Sequence, residues 1–295
     1  MIIKKEKSVQ RATFSLRDFV ECLSDPLSFD LHIHSTVSDG SDSFIDIIHQ
    51  AKRLDISSIA FTNHDTVVGL DFAMGLGEDC GINVIGGVEI SAHDPHTKKR
   101  IHVLGYGLTS NSPEVTELCR PVLARRTENT HWQMDRLIKE EFSVDVEKAL
   151  GYAQVSTAFY KQHLMAGLTE NPYGSESYRT LYENLFKGEG IVSRDIEYVT
   201  ACDAVKAIIK DGGVPVLAHP GQLDSYEFVP QLVECGLRGI EKYHPDHNLL
   251  DVALCSKLQK RYGLIATGGS DYHGTFGSIP ALGLKREFIL ASCKA

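Results

Sequence analysis

The seven cysteines of this 295-residue chain (Cys22, Cys80, Cys119, Cys202, Cys235, Cys255 and Cys293) contain no C-x-x-C pair and are odd in number. That points to neither a disulfide framework nor a zinc ribbon. An apolar run of 18 residues is also missing, so no membrane-spanning helix is expected. The opening residues Met1 to Lys5 lead into further charge rather than the apolar core of a secretory signal. The expected setting is a reducing cytoplasm. Basic charge is in deficit: 30 Lys and Arg face 39 Asp and Glu, a formal net charge of −9. Such a balance argues against a broad basic face that holds nucleic acid, while leaving a local site open. With 42% hydrophobic and 23% charged residues, disorder, collagen and coiled coil are poor readings, and the length suffices for one large α/β barrel. What the chain has in abundance is histidine, 13 residues, and that abundance turns attention to metal.

Residues 1–28 read as an extension containing one short helix, with Phe14, Phe19, Val20 and Leu23 near helical spacing and Pro26 stopping it. From Phe29 onward, short β-rich runs alternate with amphipathic helices, the pattern of parallel strands joined by helical crossovers. The expected strands are Phe29–His34, Ser57–Thr62, Ile82–Ile90, Ile101–Tyr106, Val214–His219, Leu237–Tyr243 and Leu264–Gly268, and seven of them suggest a barrel. The first helix places Phe44, Ile47, Ile48, Ala51 and Leu54 on one face behind Ser41 or Asp42 as cap. A second opens at Thr200-Ala-Cys-Asp203 and closes at Gly212-Gly213, and a third begins at Asn248 and ends before Gly263. Between about 111 and 199 the strand signal vanishes. Helices are expected there from Pro113 to about Phe142, Thr157 to Leu168 and Ser175 to Phe186, an inserted helical subdomain on a loop that caps the active site. The barrel then comprises 29–110 and 200–295, with 111–199 as the insertion.

In a parallel barrel, functional groups gather at the C-terminal strand ends. The first strand offers Asp30-Leu-His32-Ile-His34 with Asp39 in the following loop, and alternation puts His32 and His34 on one face. The second ends in Asn63-His64-Asp65, the third in Gly87-Val88-Glu89-Ile90-Ser91, and the fourth begins with His102. Ala218-His219-Pro220 and Ser270-Asp271-Tyr272-His273 end two more. So many ionisable groups at one apolar rim are costly unless cations neutralise them.

These motifs, in this order across residues 29 to 273, resemble the PHP (polymerase and histidinol phosphatase) superfamily of metal-dependent phosphoesterases. The helical block before Ala-His-Pro is most similar to the group acting on nucleoside monophosphates, 3′,5′-bisphosphates or short oligonucleotide 5′ ends. The resemblance implies a distorted (β/α)7 TIM-like barrel and three divalent ions. By the resemblance, His32, His34, Glu89 and Asp271 hold the first ion, Glu89, His102 and His219 the second, and Asp39, His64 and His273 the third, with Glu89 bridging two. It further implies a phosphate ester hydrolase, with a small phosphorylated substrate and no membrane partner. Clustered divalent ions activate water near neutral pH and clamp both oxygens of an in-line displacement at phosphorus. Mixed imidazole and carboxylate ligation suits zinc, manganese or iron, with magnesium a further candidate, better than calcium.

Chemistry is expected to involve Asp65, His219, Asp271 and His273, with Asp65 orienting an imidazole or taking part in proton transfer. Arg125, Arg126, Lys161, Lys187 and Arg194 of the insertion can reach phosphate, and Arg126 and Lys187 are the preferred contacts. Ser156-Thr157-Ala158-Phe159 stands where relatives carry a Gly-Arg-Pro-His-like stretch, so a basic contact that the resemblance implies is either missing or supplied elsewhere. His244 and His247 reach the same rim as substrate-facing residues. His49, His131 and His163 fall on helices and are not expected to be ligands, and His93 and His96 lie in a polar loop. Trp132, Phe159, Tyr178, Leu181, Tyr182 and Leu185 read as packing. Two alternatives stay open: a histidinol-phosphate-type phosphatase on the same metals, and a non-catalytic, metal-stabilised regulatory domain.

Overall fold

The computed structural model describes residues 27–284 together with Asp25 and Ile289. The helix expected around Phe14 to Leu23, and the cysteines at 22 and 293, lie outside the described residues. Seven strands form one continuous path in the order β1 (Phe29–Ile33), β2 (Ser58–Phe61), β3 (Asn83–His93), β4 (Arg100–Tyr106), β6 (Val214–Leu217), β7 (Gly239–Tyr243) and β8 (Ile265–Gly268), with the two-residue β5 (Val199–Thr200) paired to the end of β3. Each of the seven falls on an expected strand. The path curls until its ends meet. His34 N–H donates to the Tyr272 carbonyl at 2.9 Å, and Tyr272 N–H donates to the His32 carbonyl at 3.3 Å.

The all-parallel expectation fails at β4. It pairs antiparallel with β3, from Gly87 opposite Tyr106 to His93 opposite Arg100, and antiparallel again with β6. Residues 94–99 are too few for a helical crossover, which needs a dozen or more, so the connection is a hairpin. The reversal has a functional effect. A reversed strand brings its first residues to the rim where parallel strands bring their last, so His102 near the start of β4 joins side chains from the far ends of β1, β2 and β3.

The helices cover the sheet: α1 (Phe44–Arg53), α2 (Leu70–Cys80), then α3 (Pro113–Lys139), α4 (Val146–Gln154), α5 (Lys161–Leu168) and α6 (Glu176–Phe186), and after β5 α7 (Ala201–Lys210), α8 (Pro220–Leu223), α9 (Val229–Cys235) and α10 (Leu249–Tyr262). Ser43, rather than Ser41 or Asp42, caps α1, in a box with Asp46. Thr200 caps α7 and Asn248 caps α10 as the residue types require. The short α4, behind its Asp145 cap, was not expected, because Val144, Val146 and Leu150 are too few to print a helical period.

Two apolar layers follow from strand alternation. Ile59, Phe61, Val88, Val103 and Ile33 face outward onto Ile47, Ile48, Val205 and Ile208. Phe29, Leu31, Ala60, Ile85, Leu104, Tyr106, Val214 and Val216 fill the interior. Between Asp30 and Ile33 the β1–β2 register slips. This irregularity lets Leu31 join the interior plug while Ile33 joins the outer layer, an effect expected of a bulge beside a site. The helical stretch carries a third small core of Met134, Leu137, Phe159, Leu164, Met165, Leu185 and Phe186. The first half of α3 belongs to the barrel, since Val115 and Cys119 pack into the outer layer. Cys202 of α7 and Cys235 of α9 form a disulfide, contrary to the sequence expectation, because the two helices pack side by side and bring the Cα atoms to 5.6 Å. Among the described residues no helix is long and apolar enough to cross a membrane.

A buried polar tie crosses the interior plug, the Tyr106 hydroxyl donating to the Leu31 carbonyl at 2.8 Å. Tyr106→Phe strands that carbonyl in an apolar interior and is expected to cost roughly 1–3 kcal/mol. Urea denaturation measures it; an unchanged midpoint would show that the tie contributes nothing.

Candidate metal centre

Above the plug, the interior changes from apolar to ionisable within one residue layer. Glu89 of β3 is its centre. One carboxylate oxygen lies 2.7 Å from His102 Nδ1 and 2.8 Å from His219 Nε2; the other lies 3.2 Å from His32 Nε2, 3.1 Å from His34 Nε2 and 3.3 Å from His64 Nδ1. Asp271 adds an oxygen 3.4 Å from His32 Nε2 and 3.3 Å from His34 Nε2. Asp39 reaches toward His34 Nδ1 and His273 Nε2, both at 3.5 Å, and His64 Nε2 at 3.8 Å.

These side chains make three overlapping groups with the spacing an ion needs: His32, His34, Glu89 and Asp271; Glu89, His102 and His219; and His34, Asp39, His64 and His273. All nine expected ligands are therefore brought together, and His34 adds its second nitrogen to the third group. Several of the converging atoms are buried with no hydrogen-bond partner: His32 Nε2, His34 Nε2, His64 Nδ1 and Asp39 Oδ1. Orphaned lone pairs aimed at common points fit divalent cations, and the imidazole and carboxylate donor set fits zinc, manganese or iron.

The backbone is bent to deliver these groups. His219 and Asp271 take positive φ angles of 20° and 53°, conformations that non-glycine residues hold only where surrounding contacts enforce them. At Gly269 a β-carbon would come within 2.3 Å of the His32 side chain, so only glycine lets β8 approach β1 this closely.

One functional carboxylate escaped the sequence reading. Glu241 of β7 is buried, lies 3.1 and 3.2 Å from His32 Nδ1, and accepts the backbone N–H of His219 at 2.8 Å. An ionised carboxylate only accepts, so it holds the proton of His32 on Nδ1 and leaves Nε2 free toward Glu89 and Asp271, the support expected behind a ligating imidazole. Its place within Gly-Ile-Glu-Lys-Tyr, ahead of His244, was the available signal: an acidic residue alternating among buried positions of a strand.

Charge explains the ionisation states. Burial opposes ionisation of Glu89, but His64, His102 and His32 outweigh it and hold the carboxyl well below its usual range. Asp39 and Asp271 are likewise held low by surrounding imidazoles against burial. Burial drives His64 down to about 4 against the pull of Glu89 and Asp39. For His273, burial is outweighed by Asp39 and Asp271, which push it up to about 9.

The other expected site residues divide. The Asp65 carboxylate accepts the Ser91 N–H at 2.8 Å and a hydrogen bond from the Arg126 guanidinium at 2.7 Å. It is thus tied down rather than poised for proton transfer. Arg126 also donates to Ser91 Oγ at 3.0 Å and lies over the Tyr160 ring. Lys187 lines neither cavity beside the centre and sits over Tyr182 instead. Both ring nitrogens of His247 are engaged, one accepting from Gly221 N–H and the other beside the Lys242 carbonyl, which removes it from substrate duty. His244 keeps a buried Nε2 facing Asp271 at 3.5 Å and lines the smaller cavity. His49, His96 and His131 are exposed, and His163 accepts the Tyr160 N–H inside the helical stretch. Trp132 is half exposed beneath Arg194, whereas Tyr178 and Tyr182 pack on the third core and also line the larger cavity.

The chain is similar to known proteins over most of its length. The family model of the PHP domain matches residues 30–209. A phosphoribosyl 1,2-cyclic phosphate 1,2-diphosphodiesterase of Eggerthella lenta is 54% identical over 256 residues, covering 87% of this chain and 98% of that protein. A 5′-3′ exoribonuclease of Haemophilus influenzae is 28% identical over 259 residues, covering 85% and 92%. The solved structure of a Bifidobacterium adolescentis protein superposes with a TM-score of 0.78 at 22% identity, covering 92% of this chain and 96% of the other, which shows the shared fold.

Two outcomes are expected of the centre. Glu241→Ala lowers metal affinity about 10- to 100-fold, and Glu241→Gln loses less, because its single oxygen can still accept from both partners; metal titration with unaltered far-ultraviolet dichroism measures both, and wild-type affinity in the alanine variant would contradict the role. Because His273 is protonated at neutral pH, cation uptake by its group releases a proton, and affinity rises as pH is raised toward about 9. Calorimetry at pH 7 in buffers of different ionisation enthalpy reads that proton directly; identical heats would refute it.

Proposed function

This chain belongs to the PHP domain family, and from that membership we propose that it hydrolyses a cyclic phosphodiester on a small phosphorylated sugar. The observation that carries the reading is Glu89, one buried carboxylate shared by two of the four ion-sized groups found among the described residues. All nine ligands are present, which favours an enzyme over a metal-stabilised regulatory domain. The relative at 54% identity is named for a phosphoribosyl 1,2-cyclic phosphate, and that likeness extends over nearly its whole length. It supports a sugar phosphate substrate over histidinol phosphate or an oligonucleotide end.

We assign His32, His34, Glu89 and Asp271 to one ion, Glu89, His102 and His219 to a second, and His34, Asp39, His64 and His273 to a third. Divalent ions held there would supply the Lewis acidity that activates water and neutralises charge at phosphorus. The chain supplies the remaining work. Glu241 fixes the His32 tautomer and the His219 backbone. Gln162 donates to Asp39 at 2.8 Å and holds that carboxylate toward His34 and His273. The Arg126–Asp65–Ser91 network keeps the end of β3 aligned with the loop carrying His64. His244, whose Nε2 faces Asp271 beside the smaller cavity, is the imidazole placed to meet substrate. Ring opening consumes one water, breaks one P–O bond and leaves a phosphomonoester. A further water releases inorganic phosphate.

The reading is tested with metal-loaded protein, a ribose 1,2-cyclic phosphate carrying a 5-phosphate, a nucleoside 3′,5′-bisphosphate and a 5′-phosphorylated oligonucleotide, each followed by phosphorus NMR. Turnover of the cyclic ester above the others is expected, and turnover of the oligonucleotide alone would replace the proposal with a nuclease. Asp271→Asn and His34→Ala are expected to reduce turnover to background while the apolar plug keeps the barrel folded. Wild-type rates in either would remove the metal centre from the chemistry.

A further inference from the structure

The three assigned ion groups are not supported in the same way. Apart from His34, which is shared with the third, the donors of the first two belong to the barrel: His32, Glu89 and His102 lie within β1, β3 and β4, and His219 and Asp271 sit in the left-handed turns just past β6 and β8. Their support belongs to the barrel as well, since Glu241 of β7 holds both His32 and the His219 backbone. Among the described residues, no hydrogen bond from the helical stretch 111–199 reaches any of these five side chains. The third group differs, because the loops that carry Asp39, His64 and His273 are all touched by that stretch.

The contacts come from the start of α5 and the residues before it. Gln162 Nε2 donates to Asp39 Oδ2 at 2.8 Å. An ionised carboxylate only accepts, so the amide can meet it only through its NH₂, and that oxygen is taken. The other oxygen, Oδ1, is buried with no hydrogen-bond partner and lies 3.5 Å from both His34 Nδ1 and His273 Nε2. The buried Tyr160 donates its hydroxyl to the His64 carbonyl at 3.0 Å. Ser156 Oγ donates to the Ser38 carbonyl at 2.7 Å, and the Thr157 N–H and hydroxyl donate to the Val37 carbonyl at 2.9 and 3.0 Å. The stretch Ser156–Phe159, which brings no basic side chain, is thus bonded to the chain just ahead of Asp39. Tyr152 and His163 pack their rings against Phe276, in the turn after His273.

We propose that the helical stretch completes the third ion group and leaves the other two to the barrel: Gln162 is a positioning residue that turns Asp39 Oδ1 toward His34 and His273, and Tyr160 seats the backbone of His64. This rests on the assignment of three divalent ions above and specifies how they are held. Two ions depend on strand backbone and on Glu241. The third depends on a segment with its own small core, to which Phe159, Leu164 and Met165 belong, so a displacement of that segment releases this ion and no other. The physical lever is the choice of oxygen. A carboxylate pinned at one oxygen presents the other to the cation with no rotation left to lose, and support of this kind behind a ligand changes metal affinity about 10- to 100-fold. Gln162 also lines both cavities beside the centre, so the residue that orients Asp39 stands where substrate meets the rim.

The test counts ions. Chelator-treated full chain is titrated with Mn²⁺, and bound metal is measured at each free concentration. Wild type is expected to take up three ions per chain. In Gln162→Met, which keeps the side-chain length and removes the amide, two ions are expected to bind as in wild type and the third roughly 10- to 100-fold more weakly. Tyr160→Phe weakens the same ion. Glu241→Ala gives the opposite pattern, weakening the first two and sparing the third. Three ions of wild-type affinity in Gln162→Met overturn the inference, and so does an equal weakening of all three, which is what a merely structural role would give. Saturation of wild type below three ions removes the third group and the inference with it. Turnover of the cyclic ester separates this from the activity reading. If no ester is hydrolysed while Gln162→Met still loses one ion selectively, the activity reading falls and the inference stands; if the ester is hydrolysed and the ion counts ignore Gln162, the inference falls by itself.

Discussion

Everything at the rim of this barrel depends on one buried carboxylate. Glu89 has five imidazoles within hydrogen-bonding or near-contact distance and almost no access to water. A carboxylate can be kept ionised in such a place only by positive charge, and neutral imidazoles can be crowded there only if their lone pairs meet something electron-poor. Divalent cations meet both demands together. The position of each ligand, the left-handed backbone at His219 and Asp271, and the glycine at 269 are consequences of packing donors around this point. The apolar plug beneath, from Phe29 to Val216, lets a layer so unfavourable by itself sit on a stable foundation.

Topology explains how so many donors converge. Parallel strands deliver the ends of β1, β2, β6 and β8, but four or five strands reach one rim from one side only. Reversing β4 lets a single hairpin contribute Glu89 from one arm and His102 from the other, on facing chains whose register is fixed by a ladder from Gly87 to Arg100. The bridging carboxylate and one of its imidazoles are thus held by backbone hydrogen bonds rather than by a flexible loop.

Much of this was legible in the sequence, for a physical reason. Ligands written as His-x-His or Asp-Tyr-His sit on or beside apolar β runs, and period-two alternation places such residues on a common face. The strands and the capped helices α1, α7 and α10 could be read from such patterns, whereas the set of nine candidate donors follows from the family resemblance of the motifs at the strand ends. What escaped was set by tertiary packing. The direction of β4 depends on a connection length rather than on strand composition. Asp65 and Arg126, each plausible alone as an active group, neutralise each other across 61 positions of chain. Glu241 belongs to no spaced motif and is recognised only by the two groups it supports, His32 and the His219 backbone. Cys202 and Cys235, 33 residues apart, meet because two helices do.

The Arg126–Asp65 pair has a consequence for how this protein can be taken apart. A segment added to a barrel loop is ordinarily regarded as removable, an ornament that can be trimmed or exchanged between relatives. Here the first half of α3 completes the barrel's outer layer, and its Arg126 neutralises a carboxylate on the loop that carries His64. Excising residues 111–199 would leave Asp65 beside the metal groups without its guanidinium partner, held only by the Ser91 backbone N–H. A shortened chain would therefore require a compensating change at residue 65, and a chimera would have to exchange helix and loop as a unit. The segment and the rim form a single unit of inheritance, joined by this ion pair and by the hydrogen bonds of Tyr160 to His64 and of Gln162 to Asp39.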